Sequence, residues 1–85
     1  MIIWDNDKNL KLQRERQISF EQIAEIILRK EYLDIIDNPA RESQQLFVVK
    51  LKDNIYSVPF IIDNRPNIIL KTAFPSRKLT KKYMV

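Results

Sequence analysis

Residues 44–51, QQLFVVKL, and 55–62, IYSVPFII, are two runs rich in β-branched and aromatic residues, parted by the turn cluster Lys52-Asp53-Asn54. Runs of this composition bounded by turn residues read as strands. A connection this short joins only antiparallel neighbours. Two further runs flank the pair, 32–36 (YLDII) and 68–74 (IILKTAF), set off by Asp37-Asn38-Pro39 and by Asp63-Asn64-Arg65-Pro66-Asn67. The expectation is a four-stranded antiparallel β-meander. Pro59 has no N–H to give a ladder, so its place is expected at an edge or a bulge.

Upstream of these runs the apolar period is 3.6 instead of 2. Ser19 and Gln22 spell a capping box, with Ile18 and Ile23 set to staple across it. Phe20, Ile23, Ala24, Ile27 and Leu28 then follow the spacing of a helix lying on a core. Glu21 and Glu25 take its wet side, and Arg29 stands four residues after Glu25. Before it, Asp5 can cap a helix over 6–15 whose Leu10 and Leu12 make only a weak stripe, and residues 2–4 read as a short N-terminal strand. At the other end, Pro75-Ser76 opens a short helix to Tyr83, with Leu79 and Tyr83 on one face. The fold class is therefore α+β: short N-terminal strand, two helices, the meander and a short C-terminal helix or tail, as one domain over 1–85.

Eighty-five residues and 10.2 kDa, with 45% hydrophobic and 31% charged side chains, suit one small soluble domain. Cysteine and histidine are absent, which excludes disulfides, thiolate nucleophiles, zinc sites and triads built on histidine. Glycine is absent as well, so phosphate loops and dinucleotide turns that need a residue without Cβ are excluded. No cofactor is expected. Asp5 and Asp7 are better explained by helix capping than by a metal. No apolar run approaches the roughly 20 residues of a membrane span, and the start has no basic leader, so the expected location is the cytoplasm, away from membranes.

Charge is unevenly distributed along the chain. Residues 1–70 hold ten basic and eleven acidic side chains, whereas 71–85 hold Lys71, Arg77, Lys78, Lys81 and Lys82 and no acid. The net charge of +4 thus comes from the tail. On a helix Arg77 stacks over Lys81 and Lys78 over Lys82, like-charge pairs that each cost about 0.2–0.5 kcal/mol unless an anion lies across them. Nucleic acid or an acidic protein would serve.

Trp4-Asp5-x-x-Lys8 followed by Ser19-Phe20-Glu21, and Lys71 followed by Ser76-Arg77-Lys78, Thr80 and Tyr83, make a combined pattern. In it the chain resembles the BrnT-like toxins of bacterial type II toxin–antitoxin systems, small members of the RelE/ParE superfamily. Glu15-Arg16-Gln17 stands where that family commonly has Lys-His-Gly. The resemblance implies a RelE-like arrangement and a metal-independent RNase that inhibits translation, with RNA as target, on the ribosome or off it. It implies a cognate antitoxin as partner, and operator DNA reached only through the antitoxin complex. RNA cleavage by a 2′-OH needs a proton acceptor, a proton donor and cations around the phosphate. Lys71, Arg77, Lys81 and Tyr83 are the implied catalytic set, and Arg14, Arg16, Lys78 and Lys82 the implied contacts to nucleic acid or partner. Plainer readings stand beside these. Charge runs usually solvate a surface, Tyr83 is spaced to pack on the sheet, and Trp4, Phe20 and Tyr56 are more often core than stacking platforms. The competing functions are a non-catalytic protein that binds antitoxin and operator DNA, and a simple RNA-binding module.

Overall fold

A computed structural model describes residues 1–84. The chain runs β1 (Ile2–Trp4), α1 (Asn6–Arg16), α2 (Phe20–Leu28), β2 (Asp34–Asp37), β3 (Gln45–Leu51), β4 (Asn54–Ile62), β5 (Ile68–Leu70), β6 (Phe74–Pro75) and α3 (Arg77–Tyr83). Each helix begins where the sequence supplies a cap. The Asp5 carboxylate accepts the Lys8 N–H at 3.1 Å, and the Ser76 hydroxyl accepts that of Leu79 at 3.2 Å. Ser19 and Gln22 close their box with bonds of 3.2 and 2.9 Å, satisfying two otherwise orphaned donors of α2. Ile18 and Ile23 are both buried. Arg29 pairs with Glu25 at 2.8 Å, the expected one-turn spacing.

The sheet has six strands in the order β1-β5-β4-β3-β2, with β6 beside β4. The meander β2–β5 is antiparallel as expected, but the sheet as a whole is mixed, because β1 adds in parallel to β5 with Ile3 opposite Ile69. The chain leaves β1 at one edge and re-enters at β2 on the other, and α1 and α2 make that crossing.

The last expected strand, 68–74, is corrected: it is two pieces. Phe60 pairs with Leu70 and Ser57 with Phe74, so Val58 and Pro59 face three residues, Lys71, Thr72 and Ala73. This is a β-bulge. It lies against Pro59, whose missing N–H could not have held a regular ladder there. The Lys71 N–H still donates to the Pro59 carbonyl at 2.8 Å.

One sheet face carries Phe47, Val49, Tyr56, Val58, Phe60 and Leu70 against Leu12, Ile18, Phe20, Ile23 and Ile27 of the helical layer. Phe47 and Phe60 stack at 4.1 Å, and Trp4 leans on Phe20 at 5.8 Å. Burying one large apolar side chain contributes about 1.5–3 kcal/mol, so this layer dominates stability. The opposite face buries Leu46, Val48 and Ile55, where α3 lies against β4.

A chain without glycine must turn with other residues. Gln17, Lys30, Lys52 and Asp53 all hold positive φ, between 49° and 63°. Lys52-Asp53 forms the two-residue hairpin turn between Leu51 and Asn54, a position whose backbone demands two left-handed residues.

Candidate nucleic-acid interface

Helix α1 presents Lys8, Lys11, Leu12, Glu15 and Arg16 along one stripe, since residues three and four apart share a helix face. Its rotation is set from below by Asn9 and Leu12, its two buried residues. Asn9 Oδ1 accepts the Phe20 N–H at 2.8 Å and its Nδ2 donates to Glu21 at 2.6 Å, which pins α1 to the start of α2.

Opposite α1 stands the loop 38–44. Asn38 holds it closed: its Oδ1 accepts the Ala40 N–H at 2.9 Å, and its backbone N–H donates to the Gln44 carbonyl at 3.1 Å. The chain between carries Arg41 outward. The floor is the bulge, with Pro59, Lys71 and Thr72. These three elements enclose a cleft of about 470 Å³, within the size range of ligand sites.

Five cations line the cleft, Lys8, Lys11, Arg16, Arg41 and Lys71, against the single carboxylate of Glu15. Among the described residues the only ion pair is Arg29–Glu25, so none of the five is paired with an acid there. Such a concave cluster focuses positive potential and attracts polyanions. The four cations besides Lys71 come from the electrically balanced part of the chain, and the charge pattern of the sequence does not single out Lys8, Lys11 and Arg41. A partial signal exists: Lys8 and Lys11 sit four and one residues before Leu12, the buried member of that helix face.

The remaining sequence candidates fall elsewhere. Arg14 lies with Asp7 and Leu10 on another side of α1, outside the cleft. Arg77, Lys78, Lys81 and Lys82 are exposed on α3, and none of them lines the cleft. Of the implied catalytic set, Lys71 alone is in the cleft.

Helix α3 is fastened by its own polar contacts. Thr80 Oγ1 donates to the Ser76 carbonyl at 2.7 Å and accepts the Ile55 N–H at 3.1 Å. The Tyr83 hydroxyl donates to Asp34 of β2 at 2.8 Å. This bond, then the Ile35 N–H, hold the Asp34 carboxyl below its ordinary value, and the same bond pushes the Tyr83 hydroxyl above its own. Lys82 Nζ lies 5.4 Å from the Tyr83 ring centroid. Tyr83 thus acts here as a latch, with its hydroxyl committed. Trp4, Phe20 and Tyr56 belong to the core layer, as their apolar neighbours suggested.

No group of three or more potential metal-ligating side chains occurs among the described residues, and no helix there is long and apolar enough to cross a membrane. In comparisons with protein-family models, curated proteins and solved structures, nothing matches this chain.

Proposed function

We propose that the chain is a BrnT-like toxin of a type II toxin–antitoxin system, with a RelE-like arrangement of its α+β elements. In this reading it is a metal-independent RNase that inhibits translation and is held in check by a cognate antitoxin. The observation that carries the reading is the cleft: five cations around its rim and floor, Lys71 among them, with Arg16 at the position where the resembling family commonly has histidine. Gln17, standing at that family's glycine, holds the left-handed backbone that glycine adopts most readily. RNA phosphates would lie in the cleft, where Arg16 and Arg41 can grip them bidentately and the lysines act as point charges. Lys71 would serve as proton acceptor or donor, and the exposed cations of α3 would receive an acidic segment of the antitoxin.

A second reading is favoured by the placement of Tyr83, whose hydroxyl is bound to Asp34, and of Arg77 and Lys81, which lie outside the cleft. Here the protein binds RNA or antitoxin, and reaches operator DNA through the antitoxin complex, without cleaving anything. Induced expression without the neighbouring reading frames separates the two. Growth arrest with fragmented RNA, abolished by Lys71→Ala in a protein that still folds, is the expected result. Normal growth with intact RNA at high expression of folded protein discards the toxin reading.

A further inference from the structure

The cleft is more than a charged surface, because its lining changes character from rim to floor. Leu12 lines the floor and gives it a small apolar surface, and β4 passes beneath it at Pro59, also buried. The five cations are placed around it. On the loop wall, Gln44 is half-buried and lines the cleft, and Asn38 Nδ2 donates to its Oε1 at 3.2 Å. That bond turns the Gln44 amide and uses one of its two acceptor positions. The second Oε1 lone pair and both Nε2 hydrogens have no partner among the described residues.

An oriented amide beside an apolar floor and a ring of cations is the equipment for one unstacked base between two phosphates. A base lies on the floor, the amide meets its edge, and the cations take the backbone on either side. A side-chain amide that donates and accepts side by side matches the N7 and N6 edge of adenine. We propose that the cleft binds single-stranded RNA with one base, preferentially adenine, seated against Leu12 and read by Gln44. Asn38 is a positioning residue that holds the reading amide. A duplex keeps its bases stacked and its backbone on the outside, so it can offer the cations phosphates but cannot fill the floor.

This inference rests on the reading that the cleft receives RNA, and a binding experiment separates the failure of one from the failure of the other. The full chain is titrated with fluorescent single-stranded hexamers of adenylate, uridylate and cytidylate and with a blunt RNA duplex, all at one salt concentration. The adenylate hexamer should bind about five-fold tighter than either pyrimidine strand, the low end of what one amide pair discriminates. Gln44→Ala should erase that preference, bringing the adenylate hexamer to the affinity of the pyrimidine strands. Asn38→Ala should weaken the preference, and rescue by Asn38→Asp, which keeps the loop-closing acceptor but not the Nδ2 donor, should be absent. Equal affinity for all three strands, or a duplex bound as tightly as the adenylate strand, overturns the inference and leaves a general polyanion cleft. No binding of any RNA by folded protein overturns both it and the RNA reading.

Discussion

The molecule carries two basic surfaces built on opposite principles. The cleft is concave, draws its cations from α1, the 38–44 loop and the bulge, and is walled by a helix pinned through buried Asn9. The surface of α3 is exposed, draws its cations from one stretch of chain, and is held to the sheet by Tyr83–Asp34 and Thr80–Ile55. Sequence charge points to the second, since four of the tail's five cations lie on α3 and the tail holds no acid. Geometry points to the first. Attraction for a polyanion depends on how many charges face one volume of solvent, and folding gathers four of the five here from a stretch with no positive excess.

Reversing charge separates the two surfaces most strongly. The paired change Lys11→Glu with Lys71→Glu should weaken RNA binding about 100-fold or more at low salt, and the slope of affinity against salt should fall by about one unit for each phosphate no longer neutralised. Lys78→Glu with Lys82→Glu should lower RNA affinity only a few-fold while abolishing capture of an acidic peptide. Equal losses from the two pairs would erase the distinction between the surfaces.

The wall of the cleft is tested at Asn9. Asn9→Ala leaves the Phe20 N–H buried without its acceptor, and a loss of about 1–3 kcal/mol in denaturant unfolding is expected, with weaker RNA binding because α1 is no longer fixed. The latch is tested by Tyr83→Phe, which should raise hydrogen exchange at the Ile55 and Thr80 amides and leave β3 and α2 protected.

The latch also predicts a response to pH at both ends of the scale. Asp34 is lowered on folding, so its contribution is present above the ordinary carboxylate value of 3.8 and fades as pH falls through the lower folded value. Tyr83 is raised, so its contribution is present below 10.0 and fades as pH climbs through the higher folded value. Protection of the α3 amides, taken relative to their intrinsic exchange, should therefore fall at both extremes in the natural protein, and the Tyr83→Phe variant should lose the alkaline arm and much of the acid one.

The smallest effect belongs to the β3–β4 hairpin turn, which does not line the cleft. Asp53→Gly should raise stability by about 1 kcal/mol by relieving a left-handed non-glycine residue, and leave RNA affinity unchanged.

Much of the frame was legible because it rests on local chemistry. Asp5, Ser19 with Gln22, and Ser76 announced three helix starts, and the turn clusters announced the meander. The cleft was not legible, for physical reasons that differ by residue. Helix α1 has so few apolar residues that its inward face was undetermined, and with it the direction of Lys8 and Lys11. Arg41 sits in a loop whose shape depends on Asn38, and no periodicity describes a loop. The partner of Tyr83 is Asp34, 49 residues away, and the pairing of Ile2 with Ile68 spans most of the chain. Within the run 68–74 Lys71 reads as the polar beat of a strand, because the one-residue irregularity beside Pro59 leaves no mark in the alternation.

That irregularity has a topological consequence. Side chains in a strand alternate between the two faces, so an odd residue inserted on one side reverses the orientation of everything that follows. With it, Phe74 stands opposite Ser57 and Pro75 opposite Tyr56. Were the same residues paired in a regular ladder, Ala73 would meet Ser57, Phe74 would turn beneath α1 and α2, and the terminal helix would be launched toward the layer they already occupy. The offset in pairing between Leu70 and Phe74 thus decides on which side of the sheet the chain ends.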